Sequence, residues 1–477
     1  MKWYDEVSAW MDAHKEEMIG DIGTLISYPS VSDPEEGNGP FGQACKDVLD
    51  AALEMGRKYG FTTENHEYYV GSIGNEKKNW ENTIGFWNHL DVVPVSGDWN
   101  FPPFELTRKG RYIIGRGVGD NKGPAVGMLY VMRCVRDLQI PLKHELCLFV
   151  GCDEEKGMRD MEYYTSHYPC PAMSMISDTG FPVCYGEKGI LEGWITADVP
   201  FSEDIVEITS GTASNIIPDE AVLVMKRSAL SDEKISALRE KLTVEEDGEL
   251  VRLIAGGISG HSAFPQGSVN AIFNLCAAVC ETASVRGSDM LTMEALRSAT
   301  SGYFGEVSGI AYEDEVSGKL TCAGTVLRME NGRAKLTFNI RYSVTADAAF
   351  VNQKLSTYWK DWGFTWEMER DSAPNYFDPS HPAVGILTNL YNEMTNQESK
   401  PYVMGGGTYA RKLPNAFAYG TGNMPGEDGE EHAEIYHDGR GNAHGLDEAL
   451  NVDKLTEALK LYIMALIALN DVELKQN

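Results

Sequence analysis

Nothing in this sequence spells out a disulfide framework, a membrane span or a polyanion-binding surface. Its nine cysteines (45, 134, 147, 152, 170, 184, 276, 280 and 322) are odd in number and scattered, with no CxxC pair. That excludes a disulfide-built fold and points to buried thiols in a reducing compartment. The longest apolar run, residues 461–469, is far short of the roughly 18 residues that a membrane span requires. Positive charge is scarce: 41 Lys+Arg against 71 Asp+Glu leave a formal net charge of −30, so nucleic acid and anionic lipid surfaces are repelled. The opening segment carries Asp5, Glu6, Asp12, Glu16 and Glu17, which a secretory or transit peptide would not. Gly115-Arg116-Gly117-Val118-Gly119 lacks both the Walker spacing and GxGxxG, so no nucleotide loop is present. These absences predict a cytoplasmic protein with no nucleic-acid and no membrane partner.

What the chain does contain is patterned. With 477 residues, 43% hydrophobic and 23% charged, it has material for two globular domains, each with its own core. Trp3, Val7, Trp10, Met11, Met18, Ile22 and Leu25 recur at helical spacing and predict an opening amphipathic helix. Residues 84–87 read as a buried strand running into His89, residues 122–138 as a helix, and residues 146–150 and 173–176 as further strands. Strands alternating with helices predict an α/β domain. After Gly189 the texture changes: residues 190–199, 221–225, 250–254, 321–329 and 335–342 read as strands, with helices at 269–282 and 346–359. This predicts an inserted α+β domain over 190–373, leaving 1–189 and 374–477 as one discontinuous domain. A helix at 383–394, the loop Gly405-Gly406-Gly407, a strand around 416–419 and a helix at 452–469 complete the first domain. The acidic stretch 427–434 reads as a mobile loop.

The chemistry-bearing residues follow the strands. In His89-Leu90-Asp91-Val92-Val93-Pro94, His89 and Asp91 share one side of an extended segment. Asp91 can then accept the second ring N–H of His89 and fix its tautomer. An isolated His-x-Asp is usually a plain strand cap. Here it is followed in order by Asp120, by Glu154 and Glu155, by Asp178, and much later by His444. Adjacent carboxylates project differently, so one of Glu154 and Glu155 can bind metal while the other acts as general base. Two histidines and three carboxylates without cysteine suit zinc, manganese or cobalt. Two such ions roughly 3.5–4 Å apart polarise a carbonyl and lower the pKa of a shared water to about 7.

Together HLDVVP, GRGVGDNKGP, DEEKGMRD, SDTGFP, YGEKG and GGGTYAR make the chain resemble the di-zinc family of ArgE, DapE, aminoacylase and carnosinase (peptidase family M20), and within it the PepV-like dipeptidases. The likeness runs from Ser27-Tyr28-Pro29-Ser30-Val31-Ser32 to the C-terminal helix. It implies an aminopeptidase-like catalytic domain, with a mixed central sheet flanked by helices, and an inserted α+β lid. It implies that Asp120 bridges two ions, with His89 and Asp178 completing one site and Glu155 and His444 the other. Asp91 would orient His89, and Glu154 would be the general base that later protonates the leaving amine. A cis peptide bond after Asp120 is implied as well. In the lid, His261 resembles the histidine that stabilises the tetrahedral oxyanion. Asn215 and Arg341 resemble residues that grip the substrate carboxylate, for which a planar guanidinium fork is apt. Thr408 and Arg411 are implied substrate neighbours.

Two departures stand out. The family's last ligand usually follows soon after a Phe-Pro-Gly turn, whereas Met424-Pro425-Gly426 precedes an insert, 427–443, holding His432 and His437. His444 is taken as the ligand because His444-Gly445-Leu446-Asp447-Glu448 keeps the His-x-x-x-Glu form, with His432 and His437 as alternatives. Asn121 stands where the nearest relatives carry Asp. The expectation is a metal-dependent dipeptidase acting on small peptides with a free N-terminus. It would use two divalent ions, zinc first with manganese or cobalt as alternatives. The size of the lid resembles that of enzymes closing their own site as monomers. The rival is an N-acyl-amino-acid deacylase, tripeptidase or carboxypeptidase of the same family.

Overall fold

Thr83–His89 is buried along its whole length and lies between Glu145–Gly151 and Met173–Ile176, parallel to both. Parallel strands bury both faces, so they carry unbroken apolar stretches instead of alternation. Ala416–Tyr419 adds a fourth parallel strand beyond Met173–Ile176. Antiparallel strands extend this mixed sheet, Val70–Gly74 and Thr62–His66 at one edge and Val183–Glu187 at the other, where Asn375–Tyr376 and Tyr402–Met404 both join Val183–Glu187. The helices Tyr4–Ile26, Lys122–Asp137 and Val452–Ala468 pack on one another, and Lys122–Asp137 also lies on Thr83–His89. Enclosed in this way, Lys122–Asp137 is buried without a break from Lys122 to Cys134, as a helix with no solvent face must be.

The computed structural model describes residues 3–76 and 79–475. The chain divides into two units, Met1–Gly186 with Tyr376–Tyr402 and Gly407–Asn477, and Glu187–Asn375 with Val403–Gly406. The second unit therefore takes Val403–Gly406, which the sequence pattern assigned to the first. The cause is local: Lys188 donates its backbone N–H to Met404 O at 2.9 Å, and Arg341 donates to Gly405 O at 3.1 Å.

The second unit is built on an eight-stranded antiparallel sheet. Its order is Thr243–Asp247, Leu250–Gly256, Glu220–Lys226, Ile205–Ser210, Thr321–Glu330, Arg333–Tyr342, Gly189–Ala197 and Phe364–Ser372. Ala271–Glu281, Gly287–Ala299 and Ala348–Asp361 contribute to its core, which includes Leu275, Leu296, Phe338 and Trp359.

The acidic insert does not behave as the mobile loop expected of it. A small sheet of Thr107–Lys109, Tyr112–Ile114 and Ala449–Asn451 receives Ile435, which is buried against Tyr112, Ile114 and Ala449. Glu431 accepts the Arg111 N–H at 2.6 Å, Asp428 meets Lys454 at 2.6 Å, and Glu434 pairs with Lys109. The charges that suggested solvation are partners for Lys109, Arg111 and Lys454 on the strands, turn and helix beneath.

Candidate metal centre

The four parallel strands end on one edge, the position where open α/β sheets place their sites. His89 is the last residue of Thr83–His89, Asp178 lies two residues past Met173–Ile176, and Glu154 and Glu155 follow Glu145–Gly151. Asp120 sits in the turn entering Lys122–Asp137, and His444 in the loop before Ala449–Asn451. The Asp120 turn is tight: a Cβ on Gly123 would lie 2.0 Å from the Val118 carbonyl oxygen, so only glycine fits. The Asp120–Asn121 peptide bond is cis, as the resemblance implies.

Asp120 uses its two oxygens separately. One lies 2.9 Å from His89 Nε2 and the other 3.0 Å from His444 Nε2. His89 Nε2 is also 3.6 Å from Asp178, and His444 Nε2 is 3.0 Å from Glu155. Glu154 closes in as well: donor atoms of His89, Glu154 and Asp178 lie within 4.8 Å of one another, as do those of His89, Asp120 and Glu155. His89 is buried, whereas His444 is half exposed. The other two histidines are elsewhere engaged. His432 stacks on Tyr436 with ring centroids 4.6 Å apart, and His437 lies beside Asp438.

Asp91 does more than the sequence pattern proposed. His89 Nδ1 lies closest to the backbone oxygen of Asp91, at 2.9 Å, with the carboxylate at 3.4 Å. The carboxylate itself accepts the backbone N–H groups of Glu154 and Glu155 at 3.2 and 3.1 Å. Asp91 therefore holds both the histidine and the acidic turn.

Several positioning residues were not singled out from sequence. Glu448, fully buried, accepts Arg116 at 2.7 Å and the N–H groups of Gly117, Gly119 and Asp120 at 3.0, 2.9 and 3.1 Å. Arg116 also donates to the carbonyls of His444 and Gly445 at 3.3 and 3.0 Å. One ion pair thus clamps the loops of Asp120 and His444 together. Asn121 donates to Asp178 at 2.8 Å, which an ionised Asp there could not do. Asp160 accepts the N–H groups of Cys152 and Asp153, both at 2.9 Å, and the Tyr409 hydroxyl. Thr408, next to Tyr409, uses its hydroxyl to cap its own short helix at Ala410. The Arg411 guanidinium packs against Gly407, where a Cβ would meet it. The one sequence signal for the Glu448 clamp was the His-x-x-x-Glu spacing.

The electrostatics fit cations. Burial pushes Glu155 up to about 7 and Glu154 well above its usual range, with Asp178, Glu155 and Asp120 adding to the push. Burial alone would raise Asp120, but His444 and His89 hold it well below the usual carboxylate range. Asp120 and Glu155 in turn lift His444 to about 11. Burial opposes the protonation of His89, yet Asp120, Asp178 and Asp91 raise it. Four crowded carboxylates with only nitrogen and oxygen donors match divalent ions that accept such ligands. The carboxylate that faces two histidines with different oxygens has the geometry of a bridge.

In the second unit, Ile216 pairs with His261 and Ile217 with Gly260, which places Asn215 beside the His261 turn. His261 is exposed and accepts the Ala263 N–H at Nδ1. Arg341 is buried and donates to Asn339 at 2.8 Å and to Gly405 O at 3.1 Å.

Comparison with known proteins bears on this arrangement. The family model described as peptidase family M20/M25/M40 matches residues 85–468. The Bacillus subtilis (strain 168) protein named "Putative dipeptidase YtjP" is 30% identical over 98% of this chain and 100% of its own. Human carnosine dipeptidase 1 shares the fold at 14% identity with a TM-score of 0.61, over 98% of this chain and 99% of its own. The di-peptidase Dug1p of Saccharomyces cerevisiae does so at 13% identity and 0.60, over 98% of each chain.

Proposed function

The chain belongs to peptidase family M20/M25/M40, and from that premise we propose that it is a metal-dependent dipeptidase, cleaving the peptide bond of small dipeptides with a free N-terminus. The observation that carries this reading is the Asp120 carboxylate, 2.9 Å from His89 and 3.0 Å from His444 through separate oxygens. His89, Asp120 and Asp178 would hold one ion, and Asp120, Glu155 and His444 the other. Bound there, the pair supplies Lewis-acid polarisation of the scissile carbonyl and a more acidic water. Zinc is the ion proposed, with manganese and cobalt as alternatives for the same donors.

Glu154 takes the proton of the attacking water and returns it to the leaving amine. Asp91 keeps His89 and the Glu154–Glu155 turn in register. The roles proposed for the remaining residues are oxyanion stabilisation for His261, a grip on the substrate carboxylate for Asn215 and Arg341, and substrate-neighbour positions for Thr408 and Arg411. The working state proposed is a cytoplasmic monomer. All nine cysteines are thiols, which suits a reducing compartment. Among the described residues no helix is long and apolar enough to cross a membrane.

The test is a substrate panel of dipeptides, tripeptides and N-acetyl amino acids, assayed with zinc, manganese and cobalt in turn. Dipeptides are expected to be cleaved fastest, and Glu154→Ala to keep its metal while losing at least ~100-fold in rate. A metal-loaded protein that leaves every dipeptide intact overturns the proposal. Faster cleavage of acetylated amino acids or tripeptides would move it to the rival activities of the family.

A further inference from the structure

The second unit carries a buried polar network that no catalytic role yet explains. Glu192 lies on Gly189–Ala197, with Asn339 as its cross-strand partner on one side and Arg370 on the other. The pairing with Phe364–Ser372 slips by one residue between Glu192 and Gly193. Only 8% of the Glu192 side chain is exposed. A buried carboxylate is costly unless fully partnered, and this one is. It accepts Asn339 Nδ2, Ser214 Oγ at 2.9 Å and Arg370 Nε at 2.7 Å.

We propose that Glu192 is the positioning residue that sets the substrate-gripping geometry of this unit, an inference that rests on the roles given above to Asn215, His261 and Arg341. The reasoning runs through the Asn339 amide. A carboxylate can only accept hydrogen bonds, so Asn339 must turn its nitrogen toward Glu192. Its oxygen then faces the opposite way, where it accepts Ser262 Oγ and Arg341 Nε, both at 2.8 Å. Ser262 follows His261 and donates its backbone N–H to Asn215 O at 2.9 Å. Ser214, held directly by Glu192, precedes Asn215. One carboxylate thereby fixes the Asn215 segment, the His261 turn and the Arg341 guanidinium together.

A plain stabilising ion pair would not need this pattern. Arg370 is half exposed, and such a pair contributes little in water. What Glu192 uniquely supplies is the direction of the Asn339 amide.

Glu192→Gln preserves shape, but its NH2 group must face a donor, Arg370 on one side or Asn339 and Ser214 on the other. The probes are a phosphinic Ala-Ala isostere and its C-terminal amide, whose inhibition constants give a carboxylate preference without requiring turnover. The wild type is expected to favour the carboxylate form. Glu192→Gln should cut that preference by about tenfold or more, the scale of a misplaced binding group, with metal content unchanged. In the double variant Glu192→Gln/Arg370→Ala the competing donor is gone, and the introduced amide can turn its oxygen to Asn339. The preference should then return to within about threefold of wild type. Ser262→Ala, a small deletion that spares the fold, should lower kcat about fivefold through the His261 turn.

A preference unchanged in Glu192→Gln overturns the inference. So does an equal loss toward both inhibitors, a double variant without rescue, or a Ser262→Ala enzyme with wild-type kcat. A wild type that does not distinguish the two inhibitors instead removes the carboxylate-gripping role of Arg341, and the inference falls with it. That result is distinguishable from a protein inactive on all dipeptides.

Discussion

The Arg116–Glu448 pair offers the sharpest perturbation, because it touches both candidate ion sites without supplying a ligand. Glu448 accepts four donors between 2.7 and 3.1 Å: the Arg116 guanidinium and three backbone N–H groups, the last belonging to Asp120 itself. In Glu448→Gln one oxygen remains to serve them and an NH2 group faces the rest. Breaking one side of a buried pair costs about 3–5 kcal/mol of stability. The effect on metal is separate, since Arg116 also holds the His444 and Gly445 carbonyls. Loss of such an outer partner lowers metal affinity by about 10–100-fold, and 100-fold corresponds to about 2.7 kcal/mol. Competition against a chromogenic zinc chelator gives the affinity, and thermal unfolding in excess chelator gives the stability. Arg116→Lys, which keeps the charge but not the fork, is expected to fall between wild type and Glu448→Gln. If Glu448→Gln unfolds earlier yet binds zinc within twofold of wild type, the pair is only structural and the clamp reasoning is wrong.

Other outcomes follow from the same geometry. His444→Ala should bind one tight ion fewer by elemental analysis, whereas His432→Ala and His437→Ala should keep the wild-type stoichiometry; the reverse would reassign the ligand. Neighbouring carboxylates raise both His89 and His444, and His444, at about 11, holds a proton at neutral pH that an ion must displace. Metal affinity should therefore rise with pH and weaken as pH falls. Calorimetry at pH 7.5 in buffers of different ionisation enthalpy should report net proton release on metal binding, and release of none would refute the assignment. Ile435→Ala removes the apolar anchor of the insert and should cost about 2–5 kcal/mol locally, read as faster tryptic cleavage at Arg440. An unchanged cleavage rate would mean that the acidic contacts alone hold the segment.

Much of the first unit could be read from sequence because its central strands and helices are buried on several sides. Met173–Ile176 matches the expected strand end for end, and Lys122–Asp137 falls within one residue of expectation. Phe364–Ser372 escaped notice for the opposite reason. Only Phe364 and Trp366 of that edge strand are buried, and its outer half, Glu367 to Asp371, reads as polar loop. Thr243–Asp247 is mostly exposed and failed in the same way. At the site, residues with distinctive chemistry at strand ends were recognised, but their supports were not. Asp160 and Glu192 act largely through backbone N–H groups and one amide, partners that leave no spacing pattern in the chain, and only the His-x-x-x-Glu spacing pointed toward Glu448. Asp91 lies against the histidine ring as the pattern suggests, but with its backbone oxygen at 2.9 Å nearer than its carboxylate at 3.4 Å.

The strand order has a consequence for biosynthesis. Ala416–Tyr419 sits between Met173–Ile176 and Val183–Glu187, although more than two hundred residues of chain separate it from both. A ribosome delivers the flanking strands first and the middle one near the end, followed by His444 and the buried Val452–Ala468 helix. The inserted unit has its own sheet and core, and domains fold as units during synthesis, so the guest can fold while its host still lacks a strand. On the ligand assignment proposed above, the ion position that includes His444 would then be completed late. The donors assigned to the other position, His89, Asp120 and Asp178, emerge far earlier in the chain, so the two positions would become complete at different stages of synthesis.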